Sequence, residues 1–187
     1  MNEQKHPFWK AISGELPVPP AAKLLGWKPL EAVPGSGRFR VQFDGSEQFT
    51  NPQGNIQGGF VAAMLDDTLG PALATMLAPD EFCPTIELKV NFLRPAKPGV
   101  LIGEGRVVHR GGSIAFLEGN LSNSSGEVVA TATSTARIVR MQQYHSPWPV
   151  PTAMSNSSWN SSPLWMAWSA RVSSAESACL AMQCCSR

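Results

Sequence analysis

The sequence predicts an α+β domain in which a long, strongly twisted antiparallel sheet wraps one buried helix. Two observations carry this expectation. The stretch from about Gln57 to about Leu77 is apolar nearly all round, so it needs cover on every side. Two strand-like runs precede it and four follow, separated by short turns that suit antiparallel neighbours. A sheet of about five to six strands curled round a single helix is the economical solution for that order.

The elements follow in chain order. Phe8, Trp9 and Ile12 fall on one face of a short amphipathic helix expected over residues 3–13. Pro17, Pro19 and Pro20 stop it, and Ala21 to Leu25 forms a further helical turn ending at Gly26. Trp27–Ala32 and Arg38–Phe43 read as strands divided by Pro34-Gly35-Ser36-Gly37, and the second alternates cleanly between apolar and polar. Pro71 lies inside the central helix, where it cannot bond the carbonyl of Asp67, so a kink or irregular turn is expected there. Thr85–Leu93 alternates again, with Ile86, Leu88, Val90 and Phe92 on one side and Thr85, Glu87, Lys89 and Asn91 on the other. Val100–His109, Ser113–Ser122 and Glu127–Val139 complete the sheet across the turns Gly111-Gly112 and Asn123-Ser124-Ser125-Gly126. The expected organisation is an N-terminal helical extension over 1–25, the main domain over 26–140, and an irregular serine- and tryptophan-rich tail over 141–187. No period survives in that last stretch, which reads as a tail contributing nothing to function.

Composition narrows the function classes. The 187 residues hold 15 basic and 14 acidic side chains, a balance that gives no electrostatic footprint for nucleic acid. No apolar run approaches the roughly 20 residues that span a bilayer, and the first residues lack the apolar core of a signal peptide. Cys83 stands alone, and Cys179, Cys184 and Cys185 lack metal-ligand spacing, so a reduced, cytoplasmic protein is expected. Gly-x-Gly-x-x-Gly, Walker-type and Gly-x-Ser-x-Gly patterns are absent, and the dispersed histidines 6, 109 and 145 suggest no zinc site.

The chemistry concentrates in Asn51–Asp67. A polar, glycine-rich turn runs directly into the apolar helix, and the helix then carries Asp66 and Asp67. An acid in a buried helix needs a reason. The first N–H groups of a helix have no intrahelical partner and sit at the positive end of its dipole. Gly58 and Gly59 at that end let a carbonyl approach the backbone closely, as an oxyanion site requires. Close packing of helix on sheet explains the same glycines without chemistry. Adjacent helical residues point about 100° apart, so Asp66 and Asp67 cannot share a role.

With Asn51, Gln57-Gly58-Gly59, Asp66, Phe92-Leu93-Arg94-Pro95-Ala96 and His109-Arg110-Gly111-Gly112 in this order, residues 26–140 resemble the hotdog-fold acyl-CoA thioesterases, in particular the phenylacetate-pathway (PaaI-like) branch. Members usually read His-Gly-Gly where this chain has Gln57-Gly58-Gly59; glutamine donates a hydrogen bond but does not titrate near neutral pH. The resemblance implies hydrolysis of a small or medium acyl- or aryl-acyl-CoA, with no metal and no cofactor beyond the coenzyme A of the substrate. It selects Asp66 as the catalytic acid, either as general base toward water or as a nucleophile that forms a mixed anhydride. It leaves Asp67 structural, bonding backbone disturbed near Pro71. Asn51 and Thr85 take the places of family residues near the attacking water, Gln57 joins the catalytic set, and Gly59 and Gly111 join the substrate-binding set. Arg94, Lys97 and Arg110 become candidates for the coenzyme A phosphates. No histidine stands near Asp66 in the helix, which argues against hydratase chemistry. A hotdog module that binds acyl-CoA without cleaving it is the alternative.

Spacing adds a partner. Gly58 and Asp66 are eight residues apart, about 12 Å along a helix. Both must approach one carbonyl group at about 3 Å, which one chain cannot easily arrange. Two antiparallel helices can, so a homodimer, or a dimer of dimers as in the family, is expected to build two composite sites.

Overall fold

A computed structural model of the chain describes residues 6–140; the stretch read above as a tail lies outside the described residues. Two short helices come first, α1 (Pro7–Ile12) and α2 (Pro20–Leu24), each with proline in its first turn, where a missing N–H costs no intrahelical bond. His6 caps α1. Its Nδ1 accepts the Phe8 N–H at 3.1 Å, and its Nε2 lies 3.0 Å from the Glu81 carbonyl. The N-terminal extension packs on the main core. Ala22 and Leu25 are buried, Phe8 and Ile12 pack on the main core, and Phe8 meets Phe39 edge-on with ring centroids 5.8 Å apart.

Next come β1 (Lys28–Ala32), β2 (Arg38–Gly45), a 3-10 turn (Glu47–Phe49) and the long helix α3 (Gly58–Ala74). Strands β3 (Glu81–Phe82), β4 (Thr85–Phe92), β5 (Gly99–Arg110), β6 (Ile114–Asn123), β7 (Val128–Arg137) and β8 (Val139–Arg140) follow. Among the described residues, one six-stranded sheet runs β1-β2-β5-β6-β7-β4, every neighbour antiparallel, and the two-residue strands β3 and β8 pair separately. The chain leaves β2, crosses the sheet as α3, and returns as β4 at the far edge. That single crossing lays the helix across the sheet's inner face.

Alternation decides that face. Phe39, Val41 and Phe43 of β2 point inward with Leu101 of β5, Leu117 and Leu121 of β6, and Ala130, Ala132 and Ala136 of β7. Val61, Met64, Leu65, Leu69 and Leu73 of α3 close on them. The floor under the helix is glycine. A Cβ at Gly103 would collide with the Thr68 hydroxyl and lie 3.1 Å from the Phe43 ring. At Gly105 it would come 3.0 Å from the Thr68 carbonyl oxygen, and at Gly119 3.0 Å from Leu69 Cδ2. These glycines let α3 sit against the strands at backbone distance.

The helix continues through Pro71 to Ala74, short of the expected Leu77. The Asp67 carbonyl, which Pro71 cannot serve, accepts the indole N–H of Trp27 at 3.3 Å. Among the described residues no helix is long and apolar enough to cross a membrane.

Candidate active site

Asp66 does not sit in the buried part of its helix. Gly59, Ala63 and Asp66 are exposed on one face of α3, opposite the face that packs on the sheet. There the Asp66 carboxylate is held: Thr85 Oγ1 donates to its Oδ1 at 2.9 Å. Simple alternation places Thr85 on the polar side of β4, away from the helix. A β-bulge corrects that reading. Thr85 pairs with Ala136 and Glu87 with Thr135, so two steps along β4 match one along β7, and the parity flips at Ile86. Thr85 therefore shares the helix-facing side with Leu88, Val90 and Phe92, whose partners Ser134, Ala132 and Ala130 are buried. Ile86, expected on the apolar face, is 59% exposed.

The acid in a poorly solvated place is Asp67. Burial, followed by the neighbouring Asp66 charge, pushes its carboxyl up from 3.8 to about 6. Its Oδ2 is buried with no hydrogen-bond partner. Asp67 borders an apolar cavity of about 400 Å³ shared with Phe8, Leu16, Trp27, Pro71 and Phe82. The expectation that its side chain repairs backbone near Pro71 is overturned: the repair comes from Trp27, and among the described residues the buried Asp67 Oδ2 has no hydrogen-bond partner. Cys83 lies close by, its Sγ 3.9 Å from the Gly70 carbonyl. Burial, then the Asp66 charge, pushes this thiol up to about 11.

The helix start forms a second region. Gln57 is the N-cap residue, but its exposed side chain makes no capping bond. The Gly58 and Gly59 N–H groups precede the first intrahelical bonds, Phe60 and Val61 to the Gln57 carbonyl at 2.9 and 3.3 Å, and are left without an acceptor among the described residues. The two glycines differ. A Cβ at Gly58 would press to 3.1 Å on the Phe92 ring, whereas one at Gly59 meets nothing within 4 Å. Packing within the chain accounts for the first glycine and not for the second. Asn51 Oδ1 accepts the N–H groups of Gln53 and Asn55 at 3.0 and 3.1 Å, which fixes the turn leading into α3. Asn51, Asn55, Gly58, Phe92 and Arg94 border one cavity of about 370 Å³. So Asp66 and Thr85 meet on one part of the helix, while Asn51, Gly58 and Arg94 gather about its start.

The cations part ways. Arg94 pairs with Glu127 at 2.7 Å and donates to the Val128 carbonyl at 2.9 Å, with its side chain about half exposed. Lys97 is exposed and makes no bond among the described residues. Arg110 is drawn inward instead of standing free for phosphate: it pairs with Glu81 at 2.6 Å and donates to the Met76 carbonyl at 2.8 Å. It fastens the end of β5 to the segment after α3. Gly111 closes the adjoining hairpin, its N–H bonded to the Ile114 carbonyl at 2.8 Å. No group of three or more His, Cys, Asp or Glu among the described residues could hold a metal ion.

Comparison with known proteins follows this geometry. The family model described as "Thioesterase superfamily" matches residues 53–130, from the turn before α3 into β7. A Saccharolobus solfataricus protein bearing the name of an esterase is 33% identical over 105 residues, spanning 56% of this chain and 74% of that one. The chain belongs to the thioesterase superfamily. A phenylacetic acid degradation-related protein of Ralstonia eutropha, named as a thioesterase, is similar at 36% identity, with TM-score 0.67, covering 70% of this chain and 98% of that one. A hypothetical thioesterase of Streptococcus pneumoniae, solved with coenzyme A, shares the fold at 22% identity and TM-score 0.56 over 61% of this chain and 86% of its own. The thioesterase thus has the hotdog fold of the PaaI-like branch, and membership makes it a thioester hydrolase. Reading the sequence missed the bulge at Ile86, the Trp27 bond and Asn55. The proline announced an orphaned carbonyl in advance, but nothing in the sequence named its partner.

Proposed function

We propose that the thioesterase hydrolyses the acyl-CoA thioester of a small or medium acyl or aryl-acyl group, releasing free acid and coenzyme A. One observation carries the proposal: a carboxylate on an exposed helix face, fixed by a hydroxyl that a β-bulge turns toward it. Thr85 holds Oδ1 and leaves Oδ2 to act. As general base, Asp66 takes a proton from water while the water oxygen bonds to the thioester carbon. As nucleophile, its oxygen bonds to that carbon, thiolate departs, and water opens the resulting anhydride. In either case the oxygen of the tetrahedral species needs N–H donors, which Gly58 and Gly59 offer at the positive end of α3.

About 12 Å of helix separates Gly58 from Asp66, so each site draws Asp66 from one protomer and the glycines from its partner. The surface suits a second copy. Gly59, Ala63 and Asp66 lie open, Phe92 against Gly58 is 57% exposed, and β4 is a sheet edge with unpaired backbone. Exposed Lys97, with Arg94 half exposed beside its Glu127 partner, would meet the nucleotide phosphates, a role in keeping with the coenzyme A held by the Streptococcus pneumoniae neighbour.

A panel of acyl-CoAs assayed for released thiol tests the activity. Binding of several chain lengths with no free thiol sinks the hydrolase proposal and leaves an acyl-CoA-binding module. Asp66→Ala is expected to abolish turnover with assembly intact. Mixing inactive Gly58 and Asp66 variants is expected to restore some activity, because one of the two sites in a mixed dimer is then intact.

A further inference from the structure

Pro71 and Asp67 stand one helical turn apart, and the proline removes the N–H that would close the bond to the Asp67 carbonyl. That carbonyl belongs to the peptide unit one residue beyond Asp66. The indole N–H of Trp27 donates to it at 3.3 Å, from the residue immediately before β1. Trp27 is itself held, its ring stacked on buried Phe39 with centroids 5.6 Å apart and 25° between planes. The substitute bond therefore ties the weakened turn of α3 to the sheet's rigid side.

We propose that Trp27 is a positioning residue for hydrolysis: its indole N–H replaces the bond lost to Pro71 and fixes the helical turn that aims the Asp66 carboxylate at Thr85. The inference rests on the proposed function. It assigns no contact between Trp27 and substrate. Without the indole donor, the Asp67 carbonyl has neither its helical partner nor its substitute, and the turn carrying Asp66 relaxes toward whatever donor it can find. A misplaced carboxylate lowers the chemical step more than it lowers substrate binding.

The test is a double-mutant cycle of Trp27→Phe and Pro71→Ala. Phenylalanine keeps an aromatic ring against Phe39 but removes the N–H together with the pyrrole part of the indole; alanine at 71 restores the helical donor to the Asp67 carbonyl. Trp27→Phe alone is expected to lower kcat about three- to tenfold with KM within twofold, and to lower the Tm. In the Pro71→Ala background the same change is expected to leave kcat within twofold and to lower the Tm by less, because the helix then satisfies its own carbonyl and only ring packing is lost. Equal losses in both backgrounds would show that ring packing, not the N–H, is what matters, and would overturn the inference. So would a rise in KM at constant kcat. A wild type that cleaves no thioester, with the Tm coupling intact, would instead overturn the acyl-CoA hydrolase proposal. The two failures are distinguishable.

Discussion

Asp67 offers a measurable consequence of placing a carboxyl where it has no partner. Its folded-state value of about 6 lies above the 3.8 of the unconstrained group. The folded protein therefore holds this proton more tightly than the unfolded chain does. Well below 3.8 both states are protonated and Asp67 has no effect on stability. Between about 3.8 and 6 the unfolded chain gives up a proton that the folded state keeps, so stability falls across that window and levels off once the folded carboxyl ionises above about 6. A shift of about two units corresponds to about 3 kcal/mol at 1.36 kcal/mol per unit. Water reaches part of the carboxyl, so about 1–2 kcal/mol is expected. Asp67→Asn removes the charge and nearly preserves the shape. Thermal melts of both proteins from pH 4.5 to 8 should give a Tm difference that grows with pH by about 3–8 °C in favour of the variant. Any pH-independent part of the difference reflects the new amide; its growth with pH is the signal. A difference that stays flat across that range would refute the assignment of the strained acid to Asp67.

Other outcomes follow from individual contacts. Thr85→Val removes the donor to Asp66 but keeps the β-branched shape, so kcat should fall about ten- to a hundredfold, the range for a hydrogen bond to a charged group, with little change in melting. Gly59→Ala meets nothing within 4 Å in the chain and should fold as well as the wild type or better, yet lose at least tenfold in activity or dissociate on sizing. Gly103→Ala makes the opposite case: its Cβ strikes Thr68, and denaturant titration should show a loss of about 1–3 kcal/mol. The Cys83 thiol, pushed up to about 11, should alkylate far more slowly at pH 8 than a free cysteine, as peptide mapping after brief labelling would reveal.

What could be read without coordinates was whatever depends on local period and order. The alternation of Arg38–Phe43 and the all-apolar helix gave the sheet, its wrapped helix and nearly every boundary within two or three residues, because each reflects burial of a repeating face. The glycines of the helix start were legible for the same reason, since helix ends leave the same groups unbonded in every protein. What could not be read depends on residues far apart in the chain. Trp27 and Asp67 are separated by 40 residues, and no propensity connects an indole before β1 with a carbonyl beside a proline. The inward turn of Arg110 depends on Glu81, another partner distant in sequence.

Thr85 shows most clearly why the site was only half legible. Period two along β4 puts its hydroxyl on the solvent side with Glu87, Lys89 and Asn91, where it could never reach α3. Its candidacy came from family resemblance, in conflict with the strand's own pattern. The bulge at Ile86 removes the conflict by inserting one unpaired residue, and the cost is visible in the same place, since Ile86 loses its buried position. An apolar side chain left in the open at an edge strand is unfavourable for an isolated chain. The proposed dimer, in which that edge would meet a second copy, would remove the cost. Exposure of Ile86 and the aim of Thr85 are thus two results of one irregularity.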